Sequence, residues 1–132
     1  MNQRAEDNFK ITNLTKSSPP RGVPFCNIKN TIIGKKFIVS LVFAGNSLSR
    51  KLNKKYRGKN KPANTLSFKI AKNEGEIFID LRASRREAPR RGLTYKNFVT
   101  QLFIHSLLHL KGMSHGSRME RYEMRWSKRF CL

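Results

Sequence analysis

Between Thr94 and Lys111 the chain carries apolar residues on most faces of one predicted helix, with Phe98, Val99, Phe103, Ile104, Leu107, Leu108 and Leu110 among them. A helix of that pattern has to be enclosed on nearly every side, so the rest of the fold must be arranged around it. Thr94 supplies its amino-terminal cap. The same helix carries His105 and His109, and His115 follows shortly after; the chain has 3 histidines in all. Residues four apart share a helical face, so His105 and His109 can aim ring nitrogens at one point. Gly112 can take the positive φ that ends a helix and turn the chain so that His115 completes the set. Three neutral imidazoles leave a tetrahedral ion one open position, which is the pattern of catalytic rather than closed structural sites.

The length of 132 residues suits one domain with one core. Residues 1–22 mix Asn, Thr, Ser and Lys with Pro19-Pro20 and show no periodicity. They read as a basic, flexible amino-terminal arm or a poorly paired edge strand, with the domain occupying 23–132. Phe25, Ile28 and Ile32 predict a short helix stopped by Gly34, and Phe37 to Phe43 predicts a buried strand. Gly45-Asn46-Ser47 opens a second helix whose stripe is Leu48, Leu52 and Tyr56, ended by Gly58. Thr65 to Ile70 and Glu76 to Leu81 are strands joined by an Asn73-Glu74-Gly75 turn. A helix beginning near Arg82 is broken by Pro89. The final helix opens with a Ser117-x-x-Glu120 capping box and packs through Met119, Tyr122, Trp126 and Phe130. The fold class is α/β of the α+β type: a central sheet of about four strands packed with helices, and the metal site on the long helix after the sheet.

Lys and Arg number 28 against 8 Asp and Glu, a formal net charge of +20. Self-repulsion of that size points to a polyanionic partner, and nucleic acid is the natural one. Lys54, Lys55, Arg57, Lys59 and Lys61 form one basic cluster and Arg85 and Arg86 belong to another. Such clusters follow a phosphate backbone with little sequence preference. No apolar run is long enough for a membrane span, and the amino terminus lacks a secretory signal, so a cytoplasmic protein is expected. Cys26 and Cys131 lie far apart outside any C-x-x-C spacing and read as reduced thiols.

A three-histidine ion can serve phosphodiester or peptide hydrolysis. The spacing matches the metzincin helix H-E-x-x-H-x-x-G-x-x-H, except that Ser106 stands where those proteases place their glutamate base. A hydroxyl does not accept a proton there as a carboxylate does, which weighs against a metallopeptidase. An RNA-binding factor with a structural zinc is the third reading, since no carboxylate base is visible near the triad.

Three blocks together resemble the YbeY family of bacterial rRNA-maturation endoribonucleases. Leu52 to Phe68 (LNKKYRGKNKPANTLSF) is similar to the family's L-N-x-x-Y-R-x-K-D-x-P-T-[DN]-V-L-S-F, Gly75 to Ile79 to its G-[DE]-I-x-I, and the histidine segment to its H-G-x-L-H-L-x-G-Y-D-H. The resemblance implies a four-stranded α/β fold with His105, His109 and His115 as ligands of one zinc ion per chain, with nickel as another divalent candidate. It implies cleavage of single-stranded RNA in maturation of the 16S rRNA 3′ end and in ribosome quality control. The implied partners are rRNA and a ribosomal particle, without a membrane or nucleotide cofactor. Arg57 and His115 are the implied catalytic residues, Arg57 as a phosphate or transition-state contact. Ser106, Met113-Ser114 and Ala63 depart from the family's Gly, Tyr-Asp and Thr.

Overall fold

In the computed structural model, residues 8–131 are described. The strands are β1 (Phe9–Asn13), β2 (Ile38–Phe43), β3 (Thr65–Ala71) and β4 (Glu74–Ile79), and the helices α1 (Phe25–Ile33), α2 (Asn46–Arg57), α3 (Leu81–Glu87), α4 (Tyr95–Leu110) and α5 (Ser117–Phe130). The sheet order is β1-β2-β4-β3, with β1, β2 and β4 parallel and β3 antiparallel to β4 at the edge. The expected α+β class with a four-stranded sheet is therefore present.

Side chains alternate across a sheet, and the register turns that alternation into rows. Ile11, Leu41, Ile77 and Ser67 lie in one row, and Asn13, Phe43, Ile79 and Thr65 in the next. Leu41, Phe43, Ile77 and Ile79 are buried. Both rows thus run from apolar centre to a hydroxyl on β3, where the helix α4 crosses. Helix α4 packs on β3, β4, α1 and α5, which encloses the apolar residues that the sequence displays on most of its sides.

Of the two readings offered for 1–22, the edge strand holds for residues 9–13, which form β1 at the sheet edge with Phe9 buried; residues 1–7 lie outside the described region. Three expectations need correction. The hairpin turn sits earlier than expected, because Ala71 already pairs with Glu74. Gly75 belongs to β4, where its missing side chain admits Leu110: a Cβ there would meet Leu110 Cδ2 at 2.6 Å and Cδ1 at 2.9 Å. On α2 the buried residues are Ser49 and Asn53, while Leu48 and Leu52 are half-buried and Tyr56 is exposed. Hydrogen bonds decide this: Ser49 Oγ donates to the Ala63 carbonyl at 2.8 Å and accepts from its N–H at 2.9 Å, and Asn53 Nδ2 donates to the Lys61 carbonyl at 2.8 Å. Finally, Gly116 is the residue preceding α5, with φ 153° and no side-chain cap, so Ser117 is the first helical residue and the capping box does not form.

Gly75→Ala is expected to cost about 1–3 kcal/mol by overpacking against Leu110. In urea denaturation, Leu110→Ala should then cost less in the Gly75→Ala background than in the wild type; equal costs would show that the two sites do not press on one another.

Candidate metal centre

Thr94 begins α4, its hydroxyl accepting from the Asn97 N–H. Near the other end, Ser106 is buried and shares a 2.7 Å hydrogen bond with the Thr65 hydroxyl of β3. That bond fixes the rotation of the helix so that His105 and His109, one residue before and three after, stand at the edge of the sheet. The helix ends where the Lys111 N–H bonds the Leu107 carbonyl and the Met113 N–H the Leu108 carbonyl, with Gly112 at φ 104°. His115 returns over the helix end and is exposed.

The three rings converge. Centroids are 4.6 Å apart for His105 and His109, 4.6 Å for His109 and His115, and 5.3 Å for His105 and His115. One ligand atom from each lies within 4.8 Å of the others. His105 and His109 face each other through Nε2 at 3.1 Å. A tetrahedral ion with bonds of about 2.0–2.1 Å sets ligand nitrogens about 3.3 Å apart, so this pair already has the required spacing. Their other nitrogens are occupied: His109 Nδ1–H donates to the Met113 carbonyl at 3.1 Å, and His105 Nδ1–H donates to the Glu123 carboxylate on α5. Both tautomers therefore keep an Nε2 lone pair toward the centre, and an outer acceptor fixes each ring. Burial lowers the pKa of His109, helped by the neighbouring His105, His115 and Arg57 charges and opposed by the Met113 carbonyl, which favours the neutral form that binds metal. The group can hold a metal ion.

A cavity of about 60 Å³ opens beside the rings, lined by Arg57, Thr65, Ser67, His105, Ser106, His109 and His115. Arg57 is the last residue of α2, a helix that Ser49 and Asn53 hold against the following loop at Ala63 and Lys61, and it lines the cavity. The other basic residues singled out from sequence do not line this cavity. Lys54, Lys55, Lys59 and Lys61 are exposed on α2 and the following loop. Arg85 lies over the Tyr95 ring at 4.2 Å, and Arg86 lines a separate depression with Lys16 and Arg82. Sequence reasoning missed Glu123 and Thr65. A signal existed for the first: Met119, Glu123, Trp126 and Phe130 repeat at helical spacing, which puts a carboxylate on the packing stripe of α5.

Among the described residues no helix is long and apolar enough to cross a membrane. The family description "Endoribonuclease YbeY" matches residues 21–132. The chain is similar to endoribonuclease YbeY of Ehrlichia chaffeensis, 34% identical over 121 residues covering 88% of this chain and 79% of that protein. It is 39% identical over 94 residues to endoribonuclease YbeY of Ehrlichia canis, covering 67% of this chain and 61% of that one. Among solved structures, TM1509 from Thermotoga maritima shares the fold with a TM-score of 0.61 at 21% identity, covering 91% of this chain and 87% of that one. With a family match that takes in all five helices, the histidine triad and three of the four strands, the chain belongs to the endoribonuclease YbeY family.

Proposed function

We propose that this chain is a metal-dependent endoribonuclease that cuts single-stranded RNA, in the cytoplasm, as a step in maturing the 3′ end of 16S rRNA and in ribosome quality control. The observation that carries the reading is one small cavity holding both the histidine triad and Arg57, in a chain whose relatives are named endoribonucleases. All-nitrogen ligation suits zinc, and also nickel. When bound, such an ion polarises a phosphoryl oxygen and makes water a better nucleophile at neutral pH.

The protein's own contribution is positioning and charge. Arg57 offers a planar set of donors to a phosphate and offsets the charge that grows on its oxygens during cleavage. His115, the exposed member of the triad, would supply the third ligand nitrogen. Glu123 holds the His105 ring and strengthens its Nε2 as a donor to metal. Thr65 and Ser67 present hydroxyls along the wall for sugar or phosphate oxygens. Lys54, Lys55, Lys59 and Lys61 supply the outer field that gathers a polyanion.

No carboxylate lines the cavity among the described residues, which disfavours the glutamate-based peptidase reading. A purely structural ion is also disfavoured, since closed sites carry four protein ligands and this group offers three beside an opening.

Metal-loaded protein should cut a labelled single-stranded fragment from the 16S 3′ end, with about one ion per chain. His109→Ala should lose both the ion and the cutting; cutting that survives in this variant, or after full chelation, removes the proposal. Arg57→Ala should keep its metal and its melting temperature while turnover falls about 100- to 1,000-fold. Glu123→Ala should weaken the metal about 10- to 100-fold in a competition titration with a chromophoric chelator; unchanged affinity would show that the carboxylate does not support His105.

A further inference from the structure

At the edge strand β3, Ser67 borders both the cavity beside the triad and a groove of about 450 Å³ lined by Tyr56, Phe68, Ile70, Glu76 and Phe78. The Tyr56 and Phe68 rings are 4.8 Å apart between centroids, and Phe68 and Phe78 are 6.0 Å apart. Tyr56 is 57% exposed and Ile70 53% exposed. The half-covered stripe of α2 therefore ends in an aromatic step open to solvent. Arg57, the very next residue, reaches the metal cavity.

We infer that this groove is a nucleobase site, in which the base of a nucleotide flanking the cut phosphate stacks on Tyr56. The inference rests on the RNA-cleavage reading and adds to it where the strand lies. Chemistry separates base from backbone here. Lys69 borders the groove and Lys55 Nζ stands over the Tyr56 ring, 5.1 Å from its centroid, so cations are at hand for the phosphates on either side of a bound base. Glu76 lies within the lining. A carboxylate repels phosphate but accepts a hydrogen bond from the exocyclic amine of cytosine, as it can from other amino-bearing bases. Stacking itself tolerates every base, since each has a π-face. The other conceivable occupant is a second copy, and two chains of net charge +20 repel one another across a lysine-rimmed surface.

The test uses the full chain with Tyr56→Trp, Tyr56→Phe and Tyr56→Ala, substitutions at an exposed position. The probes are a 2′-O-methyl hexacytidylate and an abasic hexamer with the same phosphates. Hexacytidylate should quench the new tryptophan in Tyr56→Trp and the abasic oligomer should not. Tyr56→Ala should bind hexacytidylate about 5- to 150-fold more weakly, with abasic binding unchanged, and Tyr56→Phe should keep wild-type affinity. Equal hexacytidylate binding by the wild type and Tyr56→Ala, without quenching, overturns the base site and leaves the endoribonuclease reading standing. A wild type that neither binds these oligomers nor cuts RNA overturns both. A tryptophan spectrum that shifts with protein concentration in the absence of RNA assigns the groove to a second copy and overturns the inference.

Discussion

Enclosing α4 takes the inner face of the sheet together with α1, α3 and α5, and leaves His105 and His109 half-buried along a seam beside the edge strand β3. Apolar residues dominate the enclosed sides, where the buried Thr100 hydroxyl returns to the Lys96 carbonyl, and the seam is where polar groups keep access to partners. Ser106 and Thr65 fix the helix against the strand, and the two histidines on α4 lie along the same line. The metal centre is in this sense the polar remainder of a packing problem. Its rigidity comes from the buried residues behind it, and a group that must hold an ion to a fraction of an ångström benefits from standing on such a support.

The parts of this arrangement that depend on short spacing were legible in the sequence. The histidine set, the Thr94 cap and the turn at Gly112 are each decided within a few residues, and all three are present. What depended on distant pairing was not. Phe9–Asn13 is decided between arm and edge strand only by β2 beside it, and Gly75 reads as a turn glycine until Leu110 is seen filling its place. Glu123 is 18 residues from His105, on a different helix, and no local rule links them. The second helix misled for another reason: hydrophobic periodicity ranks residues by polarity, whereas Ser49 and Asn53 were drawn inward by backbone groups of the following loop. The part played by Arg57 came from family likeness rather than from periodicity.

Few acids balance the +20 charge, and three of those described have specific partners. Asp80 caps α3 through the Ala83 N–H, Glu87 lies near Arg90 and Arg91 at 3.7 and 3.4 Å, and Glu123 holds His105. These three carboxylates serve local structural tasks, while the cations remain largely exposed and project a field outward. Such a surface raises the encounter rate with any polyanion, correct or not, so selection among RNAs must come from the shape of the seam rather than from the charge around it.

The edge position of β3 has a cost that its sequence offsets. A strand with no neighbour on its outer side can template another chain and start aggregation. Here the register slips between Lys69 and Ala71, and Lys69 and Lys72 are exposed at that end of the hairpin. An approaching strand would meet a broken ladder and positive charge, whereas a flexible polyanion needs no matching ladder and is attracted by the same lysines. The edge therefore resists a pairing polypeptide strand by a device, irregular backbone and positive charge, that sets no such barrier to a polyanion.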